Sequence, residues 1–483
     1  MSTESNSDWV PWTCDSLTPD LCKLHIEEGF INLRGVDVHY WKYSAATSSS
    51  SMTSDDENNN VEGKSPQGFP IIAIHGGPGW PHNYMLPLKQ QACRSGRDVY
   101  FYDQAGCGKS VIPSTDDPVS ESSPEDLSGD SKNAPKTRCI ENDYPWLLTT
   151  EYYTQEELPA LIKHWGFKEN QYHIIGNSWG TVLSQLFALD AVGVMKIAPA
   201  PSSMVLSGPF SDSQLYIKSQ WDNGLDGTLG SLPPFVQERI HQLEESKRYN
   251  STEYKLLDSI LEVKFTCRTA PLPDCFLDSS EHFNEEIYVG MQGESEFTIH
   301  GVLENFNSTP RLHELAELPI LLTHGQYDTM RPTVVDVMYN ALPKSEKLLL
   351  KHSGHVSMID EPRTMNDAIG NFFDRVESSL RSNQPNIPNQ SDDGSGTHNV
   401  GTNIGNKSSS SSTSQTIGAS SILSAEVKLI SDTMIDIVSQ PGQPYHHPFL
   451  VMGLTMILSF CLGVIFERRR NTRRSDYQYT VLP

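Results

Sequence analysis

Three residues of this chain are of the types that together cleave a carbonyl compound: Ser178, Asp328 and His355. A serine hydroxyl is a weak nucleophile at neutral pH, so it needs an imidazole within hydrogen-bond reach and a carboxylate to orient that imidazole. Ser178 stands in Gly176-Asn177-Ser178-Trp179-Gly180, after the apolar approach Tyr172 to Ile175 and before helix-like spacing of Val182, Leu183, Leu186 and Phe187. The pattern predicts a strand, a turn too tight for side chains, and a helix, with the serine pushed out above the helix N-terminus. Glycine flanks it because a Cβ on either side would meet the neighbouring strand or helix. Asp328 and His355 also each follow a predicted strand. Singly, Asp328 reads as a helix cap before Arg331-Pro332 and His355 as a turn histidine. In the order Ser, Asp, His on three strand ends, they read as a catalytic triad.

The same chemistry needs donors for a developing oxyanion. Phe69 to Ile74 is an apolar run that ends in His75-Gly76-Gly77-Pro78-Gly79, a loop open enough for a close backbone approach. The N–H groups of Gly77 and Trp179 are the two expected halves of an oxyanion hole. A further strand ending at Tyr102 runs into Asp103-Gln104-Ala105-Gly106-Cys107-Gly108-Lys109-Ser110. The spacing of a phosphate loop is absent there, so nucleotide binding is rejected and the segment reads as a turn at the sheet edge. Thr154 to Gly166 predicts a helix, with Thr154 as N-cap and Glu157 as its capping-box partner.

Strands alternating with helices predict an α/β fold with a mostly parallel sheet and a ligand site at the strands' C-terminal ends. Residues 1–27 form an N-terminal extension. The first part of the core is 28–209, carrying polar surface insertions at 44–68 and 112–143. Residues 210–312 are helix-like and charged, too long for a crossover, and are assigned as a helical cap over the site. The core resumes over 313–380. Polar 381–448 reads as a disordered linker.

With 483 residues there is room for one sizeable catalytic body plus appendages. A formal charge of −24 speaks against a nucleic-acid partner. The eight cysteines show no zinc-like spacing; the sequence leaves a Cys267–Cys275 bridge open, but free thiols in a reducing compartment are the expectation. No metal or organic cofactor is expected.

His-Gly-Gly-Pro-Gly at 75–79, the Asp103 to Ser110 segment, Gly-Asn-Ser-Trp-Gly-Thr at 176–181, Gly-Gln-Tyr-Asp at 325–328 and Ser-Gly-His at 353–355 together resemble the prolyl iminopeptidases and related L-amino-acid amidases. These are serine peptidases of the α/β-hydrolase fold, and the likeness spans about residues 28 to 378. The resemblance implies Ser178 as nucleophile, Asp328 as orienting acid, His355 as base, and release of an N-terminal residue, often proline, from short peptides or amides. It also implies that cap glutamates hold the free amine by charge-assisted bonds. Glu253, in Thr252-Glu253-Tyr254, is one candidate; Glu285 and Glu296 are taken for the second role, with Glu281 and Glu286 as competitors. An esterase or lipase-like hydrolase and a non-catalytic, membrane-tethered binding protein are the alternatives.

Residues 449–466 carry no charge over eighteen positions, about the minimum for a transmembrane helix. A short basic tail, 467–483, follows. Its arginines favour a cytoplasmic C-terminus and a body on the other side, where Asn250-Ser-Thr and Asn307-Ser-Thr could carry sugars. The lack of an N-terminal signal and the closeness of the span to the end favour a tail anchor, so a cytosol-facing body is the expectation.

Overall fold

The computed structural model describes residues 13–17, 22–46, 68–112, 140–222 and 228–382. The expectations for most of both insertions, for the linker beyond 382, for the 449–466 span and for the basic tail lie outside these residues. No helix among the described residues is long and apolar enough to cross a membrane.

Among the described residues, eight strands form one sheet in the order β1-β2-β4-β3-β5-β6-β7-β8. β1 (Leu24–Leu33) and β2 (Val36–Ala45) make an antiparallel hairpin. Its two-residue loop, Arg34-Gly35, has positive φ at both positions (52° and 84°), the turn whose twist matches the flanking strands. β2 pairs antiparallel with β4 (Val99–Tyr102), and every pairing from there to β8 is parallel. β3 (Ile71–Ile74), β4, β5 (His173–Asn177), β6 (Ser203–Ser207) and β7 (Ile320–Gly325) are buried at every residue. Helices cover both faces of these strands, which is why they read as unbroken apolar runs. β8 (Ser345–Leu350) closes the sheet as an edge strand with mostly accessible side chains.

Side chains alternate between two core layers, as a pleated strand requires. Ile72, Ile74 and Ile174 pack with Trp179, Leu183 and Phe187 of the helix Trp179–Leu186. Ile71, Ala73 and Ile175 face Ile369, Phe372 and Phe373 of the closing helix Pro362–Ser382 on the opposite side. Between β6 and β7 the chain leaves the sheet and, among the described residues, builds five α-helices: Ser213–Gln220, Pro234–Glu245, Thr252–Leu261, Asp274–Glu281 and Glu285–Met291.

Two local expectations are corrected. Helical turns begin before Thr154, with a wide segment Tyr152–Glu157 running into the helix Leu158–Trp165. Thr154 therefore lies inside the helix, where its hydroxyl donates to the Thr150 carbonyl at 2.9 Å. Glu157 is fully buried, and its Oε2 accepts the Ala105 N–H at 2.9 Å instead of closing a capping box. Burial pushes this carboxyl up to about 8. The end of the second insertion is also not pure loop: Ile140–Asp143 is helical, Ile140 is buried, and its N–H donates to the Glu286 carboxylate.

Candidate active site

Ser178 sits between β5 and the helix Trp179–Leu186 at φ 56°, ψ −125°, a strained conformation for a residue with a side chain. Its surroundings enforce the turn. A Cβ on Gly176 would lie 2.4 Å from the Gly180 carbonyl oxygen, and one on Gly180 would lie 2.3 Å from that of Ile74. The Ser178 N–H is spent on the Ser207 carbonyl at 3.0 Å, which ties the turn to β6.

Asp328 follows β7 and is fully buried. Its Oδ1 accepts the Met330 N–H at 2.9 Å and lies 2.7 Å from His355 Nδ1. The loop after β8 carries His355, held from above by the cap: the His355 N–H donates to the Phe265 carbonyl at 2.8 Å, and that of Val356 to Thr266 at 3.0 Å. Gly208, at φ 59°, passes beneath the imidazole, where a Cβ would meet His355 Cε1 at 2.7 Å. His355 Nε2 is buried and has no hydrogen-bond partner among the described residues. Burial alone would lower the pKa of this imidazole, but the carboxylates of Asp328 and Glu296 outweigh it and raise the pKa to about 9.

Ser178 and His355 both line a cavity of about 230 Å³ roofed by the cap, with Gly77 on the same wall. Tyr84 joins the loop to the nucleophile strand, because its hydroxyl accepts the Gly76 N–H at 2.7 Å and donates to Asn177 Oδ1 at 2.8 Å. Gln104 performs a parallel task. It takes the Trp179 indole N–H on Oε1 at 2.8 Å and donates from Nε2 to the His75 carbonyl at 3.0 Å. The Gln104 N–H donates to His75 Nε2 at 2.9 Å, so the neutral ring gives its Nδ1 proton to the Gly76 carbonyl at 2.9 Å. Burial holds His75 down at about 4, which keeps it in that neutral form. Gly76, Tyr84, Asn177, Gln104 and Trp179 thus fix the two backbone segments that carry the Gly77 and Trp179 amides. Such a constellation can stabilise an oxyanion and move a proton between a hydroxyl and a leaving group.

A model of the alpha/beta hydrolase fold family matches residues 70–362. The proline iminopeptidase of Clostridioides difficile is 30% identical over 342 residues, which cover 70% of this chain and 94% of that protein. The chain belongs to the proline iminopeptidase family. The proline iminopeptidase of Heyndrickxia coagulans is 29% identical over 350 residues, 72% of this chain and 99% of that protein. The crystal structure of the proline iminopeptidase from Mycobacterium smegmatis shares the fold, with a TM-score of 0.56 at 20% identity, over 73% of this chain and all of that one. As a proline iminopeptidase relative, the protein is a serine aminopeptidase of the α/β-hydrolase fold.

In this iminopeptidase relative the three glutamates singled out from the sequence part company. Glu296 lines the cavity, with Oε1 3.7 Å from His355 Nε2 and Oε2 accepting the Tyr288 hydroxyl at 3.2 Å. Glu285 stands exposed at the cavity's edge. Glu253 is not brought to the cavity. It lies on the outer face of its helix, in a two-pronged ion pair with Arg239 at 2.6 and 2.5 Å.

The inner face of that helix and its continuation carries two acids missing from the sequence reading, Asp258 and Glu262, both lining the cavity. Burial, and then the charges of Glu262 and Glu296, push Asp258 up to about 8. Glu262 and Glu296 are raised as well, chiefly by burial. The signal was the spacing Tyr254, Asp258, Glu262: residues four apart share a helix face, and Tyr254 marks that face as the buried one. Glu253 is one residue off it. Tyr84, Gln104 and Gly208 were missed because their partners are distant in sequence and no local pattern announces them.

Proposed function

We propose that this serine aminopeptidase releases an N-terminal residue, proline foremost, from short peptides or amides through an acyl-enzyme. The observation that carries the reading is His355 Nε2, buried and without a hydrogen-bond partner among the described residues, opening on a cavity that Ser178 and the acids Asp258, Glu262 and Glu296 also line. Ser178 Oγ attacks the carbonyl of the first residue while His355 takes its proton and Asp328 holds the imidazolium. The Gly77 and Trp179 amides receive the oxyanion. His355 then protonates the leaving amine, and water discharges the acyl-enzyme by the same route.

Glu296 and Glu262, with Asp258 behind them, hold the free amine of the substrate. An ammonium entering beside them favours their charged forms, so binding expels protons. Trp80, Phe276, Phe283 and Tyr288 supply flat apolar walls that suit a compact ring such as proline. The relatives' name, proline iminopeptidase, supports the same substrate.

The test is turnover of a prolyl naphthylamide against a simple ester by the wild type and by Ser178→Ala. Loss of amide hydrolysis in a folded variant is expected. Full turnover by Ser178→Ala overturns the proposal, and a wild type that cleaves only the ester favours an esterase.

A further inference from the structure

The expectation of free thiols fails at four cysteines. Cys14 is bonded to Cys275 across 261 residues of chain, and Cys22 to Cys93 across 71. Both bonds act on the N-terminal segment. Cys14 fastens it to the cap helix Asp274–Glu281, where Asp274 Oδ1 accepts the N–H groups of both Cys14 and Cys275 at 2.7 Å. Cys22 fastens the approach to β1 onto the helix Gln90–Ser95. The other two described cysteines, Cys107 and Cys267, are free and buried, and burial raises both thiols above their ordinary range. Four of the six described cysteines are thus joined in pairs. Paired cysteines of this kind persist in oxidising compartments and are rare where thiol buffers are reducing.

A second observation is independent of sulfur. Asn250 of Asn250-Ser251-Thr252 is exposed on the turn between the helices Pro234–Glu245 and Thr252–Leu261. No hydrogen bond to its side chain is present among the described residues, and it lies off the cavity. Asn307 of Asn307-Ser308-Thr309 differs. Its Nδ2 donates to Asp212 Oδ2 at 3.0 Å and its Oδ1 accepts the Thr309 N–H at 2.9 Å, so a sugar on Nδ2 would crowd out Asp212.

We propose that the catalytic body folds and works in an oxidising compartment outside the cytosol, clipped by the Cys14–Cys275 and Cys22–Cys93 disulfides, and carries an N-linked sugar on Asn250 with Asn307 bare. Each disulfide forms by exchange with an oxidised dithiol carrier, which takes up the two electrons and two protons released by the thiol pair. The sugar arrives from a lipid-pyrophosphate-linked oligosaccharide. Asn250 Nδ2 bonds to the anomeric carbon, the lipid pyrophosphate leaves, and the amide proton passes to the transferase. The charge pattern of the sequence agrees: Arg468, Arg469, Arg470, Arg473 and Arg474 follow the apolar stretch, while no Lys or Arg stands between Leu429 and Glu467. The positive-inside rule then leaves the tail in the cytosol and the body across the membrane, reversing the cytosol-facing expectation.

The experiment is peptide mapping of the full chain made in eukaryotic cells, with thiols blocked at lysis and digests compared before and after reduction. Expected are a Cys14–Cys275 peptide pair, a Cys22–Cys93 pair, and an Asn250 peptide that gains heavy oxygen on deglycosylation in labelled water. Asn250→Gln should remove the sugar and leave turnover as it was. Four blocked thiols with a bare Asn250 overturn the whole proposal. Linked cysteines with a bare Asn250, or a sugar on Asn307, overturn the assignment of the modification.

Discussion

Glu296 Oε1 stands 3.7 Å from His355 Nε2, on the side of the imidazole that faces the cavity. Under the proposed function, one carboxylate thereby bears on two steps, amine recognition and the proton inventory of the base. Its charge raises the pKa of His355, and His355 must be neutral to accept the Ser178 proton. Glu296→Gln removes that charge. The acid limb of the kcat/KM profile, which reports the free enzyme, should move to lower pH, while KM for free-amine substrates rises. An acid limb that stays in place in the variant would separate Glu296 from His355.

The cavity acids and Glu253 give opposite expectations. Glu262→Gln should raise KM for a prolyl amide at least tenfold and leave N-blocked analogues much less affected, since a charge-assisted bond of about 1.5–3 kcal/mol is lost. Glu253→Gln breaks only an exposed pair with Arg239, worth on the order of 0–1 kcal/mol. It should change neither KM nor kcat. Steady-state kinetics on matched free and blocked substrates reads both, and a selective rise in KM with Glu253→Gln would restore that residue to the amine site.

Tyr84 is a positioning residue, since its hydroxyl bridges Gly76 N–H and Asn177 Oδ1 and so joins the oxyanion loop to the elbow strand. Tyr84→Phe leaves the Gly76 N–H buried and unpaired, a cost of about 1–3 kcal/mol. The expected result is a fall in kcat of roughly tenfold to a hundredfold with KM little changed, because the loss acts on oxyanion stabilisation. A purely structural role would show as a lower Tm with kcat intact.

The strand ends and the elbow were legible in the sequence because their constraints are local. Gly176 and Gly180 are needed by atoms a few residues away or on the adjacent strand, and the apolar runs of β3, β5 and β7 mark burial on both faces. The parallel pairing of β3 to β8 was legible in the alternation of strands and helices, but the strand order, with β3 between β4 and β5, was not. What the sequence hid was long-range. Glu157 has the spacing of a capping box, but the burial of Tyr152 and Tyr153 turns its carboxyl inward to Ala105. The cysteine pairs join residues 261 and 71 apart, distances at which spacing carries no information. Glu253 was chosen by its neighbours in sequence, whereas the helix face selects Asp258 and Glu262.

The buried Arg97–Glu377 pair offers a test of what pins the closing helix beneath the sheet. Glu377 Oε1 accepts from Arg97 at 2.8 Å and lies 3.1 Å from His173 Nε2, with both partners buried. Burial pushes the Glu377 carboxyl up, but the bond to His173 and the charge of Arg97 prevail and bring it to about 2, below its ordinary 4.5. A depressed carboxyl stabilises the fold above its unfolded pKa, and that contribution disappears as pH falls from about 4.5 through about 2. Glu377→Gln leaves Arg97 with only the half-exposed Asp374 carboxylate, 2.7 Å away, as counter-charge and should destabilise the protein at pH 7 by less than the roughly 3–5 kcal/mol of a fully unpaired buried charge. Thermal melts of both proteins across this range should show the gap in Tm closing as pH drops towards 2. A gap that stays constant with pH would mean that packing, and not the charge on Glu377, holds the helix in place.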